Sequence, residues 1–235
     1  MAGWFQRLVG GKPPRGGRFK GLLAGYPPYR IPHPGHGWTL TPAQAEANLS
    51  YLLDHKAERL RVVCRLLTEF GLDLDAALVA PDPKPFLDAL WRWSIEEWPA
   101  VYDRRLATLD TWLNSTRDGP DIVLSVLMDV AIAQAELVLV RRPDYGWTLD
   151  LDPANKGEIE GEGTKSWQRP VLLRPADRIV PALRFDLEGA VWNDYTRCTS
   201  STYAMWNHMG QGVLDIISGT HEACWRKEAG ARKPT

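Results

Sequence analysis

The stretch Pro120–Val140, PDIVLSVLMDVAIAQAELVLV, is the most apolar part of the chain, and its reading decides the fold. Asp118-Gly119-Pro120 reads as an opening turn, and proline suits the first helical position, where its missing N–H costs nothing. The segment from Asp121 to Arg142 then contains neither glycine nor proline. It ends at Arg141-Arg142-Pro143, with cationic side chains at the negative end of the helix dipole and a proline that stops the helix. Its apolar residues, Ile122, Val126, Val130, Leu137 and Leu139 among them, run nearly all the way round. Such a helix is buried on most sides. Ser125, Asp129 and Glu136 fall on one stripe. The length raises the question of a membrane span. Asp129, Gln134 and Glu136 sit mid-segment, where lipid would penalise them, and no second such segment exists, so no membrane is expected.

Composition fits that reading. The chain has 235 residues, 44% hydrophobic and 24% charged, as in ordinary globular proteins with a sizeable core. The 28 basic and 29 acidic residues nearly cancel, which argues against a dedicated nucleic-acid binder. Cys64, Cys198 and Cys224 are far apart and form no C-x-x-C pair, so neither a disulfide framework nor a zinc site is indicated. That usage fits a reducing cytoplasm. The first fifteen residues lack the apolar core of a secretory signal. His33 and His36 lie in a Pro-Gly loop and His55 on the next helix, with no further ligand at a useful spacing. No metal or other cofactor is expected. The eleven tryptophans read chiefly as core packing, the alternative being exposed anchors for a partner.

In chain order, residues 1–40 are rich in Gly and Pro, a density at which no stable helix survives. Arg7, Lys12, Arg15, Arg18, Lys20 and Arg30 face no acidic residue there, so the segment reads as a solvated basic arm. Thr41-Pro42-Ala43-Gln44 is a capping box that opens a helix over about 42–70. Asp54, Lys56, Glu58, Arg59, Arg61 and Arg65 form its wet face in this reading. A second helix runs from Pro85 to Trp98, where Pro99 ends it, and a third segment covers 99–114. Tyr145–Leu151 and Trp167–Leu173 read as strands, and Ile179–Leu187 as a third strand or a short helix. Ser200–Ile217 reads as the last helix, weakened by Gly210 and Gly212. The expected fold is α+β, mainly α: a helical bundle around a buried central helix, with a small antiparallel sheet. One domain is expected over 41–225, followed by a loose basic tail over 226–235.

No nucleophile elbow, phosphate loop, dinucleotide fingerprint or metal pair is present. Asp129 and Glu136 have three readings. They pair with cations inside the fold, Arg169 being the natural partner, because a buried carboxylate needs one. They line a pocket that recognises a basic group. Or they form a carboxylate pair for metal or hydrolytic chemistry, for which no further ligand stands at the right spacing. An enzyme would draw on Asp129, Glu136, His208 and Arg169. The loop 152–166 carries Asp152, Glu158, Glu160 and Glu162 and reads either as plain exposed loop or as an acidic patch for a basic partner.

An apolar helix with internal Asp129 and Glu136, then Pro143-x-x-Gly146-Trp147, then Arg169-Pro170-Val171-Leu172 and a final amphipathic helix, resembles a group of small bacterial proteins. Several of these are immunity proteins of polymorphic or contact-delivered toxin systems. The resemblance covers about 120–217. It departs at Ala133-Gln134-Ala135 and in the insert 152–166. It implies a cytoplasmic, non-enzymatic protein whose partner is a toxin encoded nearby, a nuclease for instance. Asp152, Glu158, Glu160 and Glu162 would be the contact surface, and Asp129, Glu136 and Arg169 the polar core. The alternatives are a small-molecule enzyme with a pocket beside the central helix, and an adaptor whose basic arm docks on a polyanion.

Overall fold

The computed structural model describes residues 17–156, 166–203 and 209–231. Among them are nine α-helices: α1 (Gly17–Leu23), α2 (Pro42–Thr68), α3 (Leu74–Val79), α4 (Lys84–Glu97), α5 (Leu109–Asn114), α6 (Val123–Leu139), α7 (Leu187–Arg197), α8 (Gln211–Ser218) and α9 (Thr220–Ala231). Between α6 and α7 lie three strands, β1 (Gly146–Leu149), β2 (Pro170–Arg174) and β3 (Leu183–Phe185), which form one antiparallel sheet in that order. The fold is α+β and mainly α.

Helix α6 is the axis. Every one of its 17 residues except Glu136 and Leu139 is buried. Helices α2, α7 and α8 pack around it, so its apolar surface faces protein. Pro120 lies in a 3-10 turn, Gly119–Asp121, that leads into it. At its far end Arg141 donates to the Leu137 carbonyl at 2.9 Å and to the Ala77 carbonyl at 2.7 Å, so one guanidinium closes the last turns of both α6 and α3. This matches the polarity of helix ends, where unpaired carbonyls attract cations.

Helix α2 opens with the capping box read from the sequence: the Gln44 amide donates to Thr41 Oγ1 and the Thr41 amide to Gln44 Oε1. It stops at Gly71, whose φ of +74° only glycine adopts freely, and the Leu72 amide returns to the Leu67 carbonyl. The buried face runs Ala45, Asn48, Leu52, Arg59, Val62 and Leu66. Arg59 is therefore on the inner face, and its assignment to the wet face is corrected.

The Gly/Pro-rich segment also differs from expectation in its described part. Residues 17–40 contain helix α1 and then a strap that crosses the bundle, with Phe19, Tyr26 and Tyr29 buried. Prolines and glycines deny the strap regular structure, so its backbone groups pair with side chains instead. The Tyr29 amide donates to Ser125 Oγ at 2.8 Å, Asn48 pairs both ways with His33, and Arg59 donates to the Pro27 carbonyl. Gly37 presses against β2's approach so closely that an added Cβ would lie 1.6 Å from the Trp167 carbonyl oxygen.

Three elements lay outside the sequence reading or were placed differently. Helix α7 is capped by Asp186, which accepts from the Gly189 amide at 2.8 Å, and it packs along α6. The expected helix over 200–217 is interrupted: Gly210 has φ +92°, and α8 starts only at Gln211. Helix α9 reaches into what read as a loose tail and rests on the sheet, with His221 against Phe185 at 5.0 Å. Tryptophans serve the core in number: Trp98 and Trp112 are fully buried, and Trp112 stacks on Trp192 at 4.6 Å.

Candidate functional site

The polar stripe of α6 is a built feature. Ser125 accepts from Tyr29 and donates to the Arg117 carbonyl, which ties the strap to the turn before α6. One helical turn on, Asp129 is fully buried and receives Arg59 through two bonds, at 2.8 and 2.5 Å, and the Tyr26 hydroxyl. Burial pushes the Asp129 carboxyl up to about 6, against the opposing pull of Arg59 and Tyr26. Two turns further, Glu136 meets Lys56 at 2.7 Å in a half-buried pair. Asp129 and Glu136 thus hold α2 and the strap onto α6, each with its own cation.

Arg169 is elsewhere. Its guanidinium stacks on Trp112 at 4.2 Å and pairs with Asp186 at 2.7 Å and Glu188 at 3.2 Å. Glu188 also receives Arg117 at 2.7 Å and the Trp112 indole at 3.0 Å. Burial notwithstanding, Arg117 and Arg169 together hold Glu188 below the usual carboxylate range. The expected pairing of Arg169 with Asp129 or Glu136 is corrected: Arg59 and Lys56 take those carboxylates. The sequence signal for Arg59 was its place on α2, seven residues after the buried Leu52 on the same face. Arg117 gave no signal, since it sits in a turn at φ +60°.

At the base of the acidic loop, Asp150 is fully buried and gathers the strands' approach. It accepts from Asn155 Nδ2 at 2.7 Å, Ser166 Oγ at 2.5 Å and the Asp152 amide at 3.0 Å. Arg184 of β3 lies 3.3 Å from Asp150 and 3.2 Å from Asp152. Asp152 is therefore at the rim of the sheet, next to the exposed Leu151. Glu158, Glu160, Glu162 and His208 lie outside the described residues. Among the described residues, no group of three His, Cys, Asp or Glu side chains is placed to hold a metal ion.

The other polar concentration is a cleft of about 390 Å³ between the end of α6, the end of β2 and the start of α9. Arg142 pairs there with Asp144 at 2.8 Å and Glu222 at 2.5 Å and donates to the Ile216 carbonyl. Arg174 pairs with Asp177 at 2.5 Å and Asp144 at 3.2 Å. Hydrogen bonds from the Val180 and Ile179 amides and from Arg174 hold the Asp177 carboxyl far below its ordinary range.

No family model, curated protein or solved structure matches this chain.

Proposed function

We propose that this protein is a non-enzymatic binding module of the immunity type, which neutralises a cognate toxin by covering its active surface. The observation that carries the reading is the use made of the interior charges. Of the residues from which an enzyme of this chain would draw, Asp129, Glu136 and Arg169 are each engaged by an internal partner. A carboxylate that receives a bidentate guanidinium and a phenol inside the core is not offered to a substrate.

The loop carrying Glu158, Glu160 and Glu162 is the contact surface in this proposal, with Asp152 at its base. What supports it is the fastening of that base: Asp150, Asn155, Ser166 and Arg184 hold both ends against the sheet. Fixed ends lower the entropy lost when a loop binds. Three glutamates suit a basic partner such as a nuclease, for which charge complementarity governs encounter and register.

The test is co-expression. The C-terminal domain of the protein encoded by the neighbouring gene is produced alone and together with this chain, and both growth and co-purification are measured. Toxicity that this chain relieves, in a stable complex, supports the proposal. A neighbouring product that is neither toxic nor bound defeats it.

A further inference from the structure

A groove of about 250 Å³ lies between the end of α1, the strap and the last turns of α2. Its apolar lining is Leu22 of α1, Tyr26 and Pro27 of the strap, and Val62 and Leu66 of α2. The Tyr26 hydroxyl is committed to Asp129 and the Pro27 carbonyl to Arg59, so neither turns a free polar atom to the groove. Two charged side chains complete the lining. Glu69 is held by Arg18 at 2.6 Å, and Arg18 in turn lies over the Phe70 ring at 5.4 Å. Arg65 is exposed and makes no hydrogen bond or ion pair with any described residue. Arg61, one turn earlier on the same face of α2, is exposed and equally without a partner among the described residues, which makes this edge of the groove positive. The cleft beside α9 differs in this respect, because Asp144, Asp177 and Glu222 already match its three arginines.

We propose that this groove binds a small monocarboxylic acid with a compact aryl or branched-alkyl body, the body against Leu22, Val62 and Leu66 and the carboxylate on Arg65. The two halves of the ligand follow from the two halves of the lining. A free guanidinium takes a carboxylate through two parallel bonds. The apolar walls gain only from a group that removes them from water. Size sets the body: pockets that enclose a drug-sized ligand run from about 300 to 1,000 Å³, and this one is smaller. Charge sets the head: Glu69 in the same lining repels a second negative charge, so a monoanion is favoured over phosphate or a dicarboxylate. The inference stands apart from the immunity reading, since it needs no partner protein. A ligand here would tie α1 and the strap to α2.

The experiment titrates the full chain with phenylacetate and isocaproate while the Gly25, Leu66 and Glu69 amides are followed by NMR. Phenethylamine, isoamylamine and inorganic phosphate are the controls, at equal ionic strength. Saturable shifts from the two acids are expected, with Kd on the order of 1 mM for ligands this small. Arg65→Gln should raise that Kd about tenfold, the worth of one charge-assisted bond, and Arg65→Lys should fall between. Because Arg65 is exposed, the variant should fold, with a ligand-free Tm within about 4 °C of the wild type. At ten times Kd the acids should raise the wild-type Tm by about 3–6 °C, and that of Arg65→Gln by less than about 2 °C at the same concentration. No saturable shift with either acid overturns the proposal. So do equal shifts from the amines, phosphate binding as tight as that of the acids, or a wild-type Kd in Arg65→Gln.

Discussion

Replacing Asp129 with Asn keeps the shape of the side chain, removes its charge and turns one of its two acceptor oxygens into a donor. Arg59 would then stay in place, 4% exposed, with Tyr26 and Tyr29 around it and no anion to balance it. Leaving one member of a buried pair alone costs about 3–5 kcal/mol. For a protein of this size each kcal/mol moves Tm by about 2–4 °C, so a fall of roughly 6–20 °C is expected. Removing both charges is different. Arg59→Met with Asp129→Leu exchanges the pair for apolar volume, and such exchanges range from neutral to stabilising by about 1–4 kcal/mol. The double variant should therefore recover most of the loss. Arg59→Met alone should be pH-sensitive. Its orphaned carboxyl, already pushed up to about 6 with Arg59 present, would rise further and shed its charge by protonation. The penalty at pH 8 should shrink at pH 5, whereas that of Asp129→Asn should not. Urea unfolding followed by circular dichroism at both pH values measures all four proteins. A loss under 1 kcal/mol in Asp129→Asn, or a double variant as unstable as the single, would refute the account of the α6 stripe.

Asp194→Asn tests a second carboxyl, which burial raises to about 7. A raised carboxyl contributes stability that is complete below its unfolded value near 4 and is lost as pH rises through about 7. The variant should match the wild type at pH 4 and exceed it at pH 8 in urea midpoint. Gly37→Ala places a Cβ 1.6 Å from the Trp167 carbonyl oxygen, so the strap must move. A loss of about 3 kcal/mol is expected by thermal unfolding, at the upper end of overpacking costs. Thr41→Ala removes one half of the capping box of α2 and should cost about 1 kcal/mol in the same assay.

How far the fold was legible depends on which forces act locally. The central helix, the Thr41 capping box and the strands around Trp147 and Leu172 follow from local periodicity and end signals, and these were readable. The strap was not. Its order comes from Tyr26, Tyr29 and Gly37 meeting residues far along the chain, and Gly/Pro content reports only the lack of regular structure. The polar core was half legible. A buried Asp129 demands a cation, and the spacing of Arg59 from Leu52 puts it on the apolar face of α2, but that spacing does not say that this face meets Asp129. Helix α7 carries its cap in Asp186 and Gly189, but Gly189 and the mixed polarity after it blur the apolar period.

The strap has a consequence for how the chain is made. The bond from Tyr26 to Asp129 spans 103 residues, and the one from Tyr29 to Ser125 spans 96. At synthesis rates of about 5–20 residues per second, that gap is about 5–20 s. Throughout it Tyr26 and Tyr29 have emerged without the helix that receives them, and the Arg59 guanidinium waits over the last 70 residues of it. The amino-terminal quarter is thus finished late, after α6 appears, and α2 waits with a charged group on its apolar face. Until Asp129 arrives, the unpaired Arg59 guanidinium opposes the sealing of that face against another apolar surface.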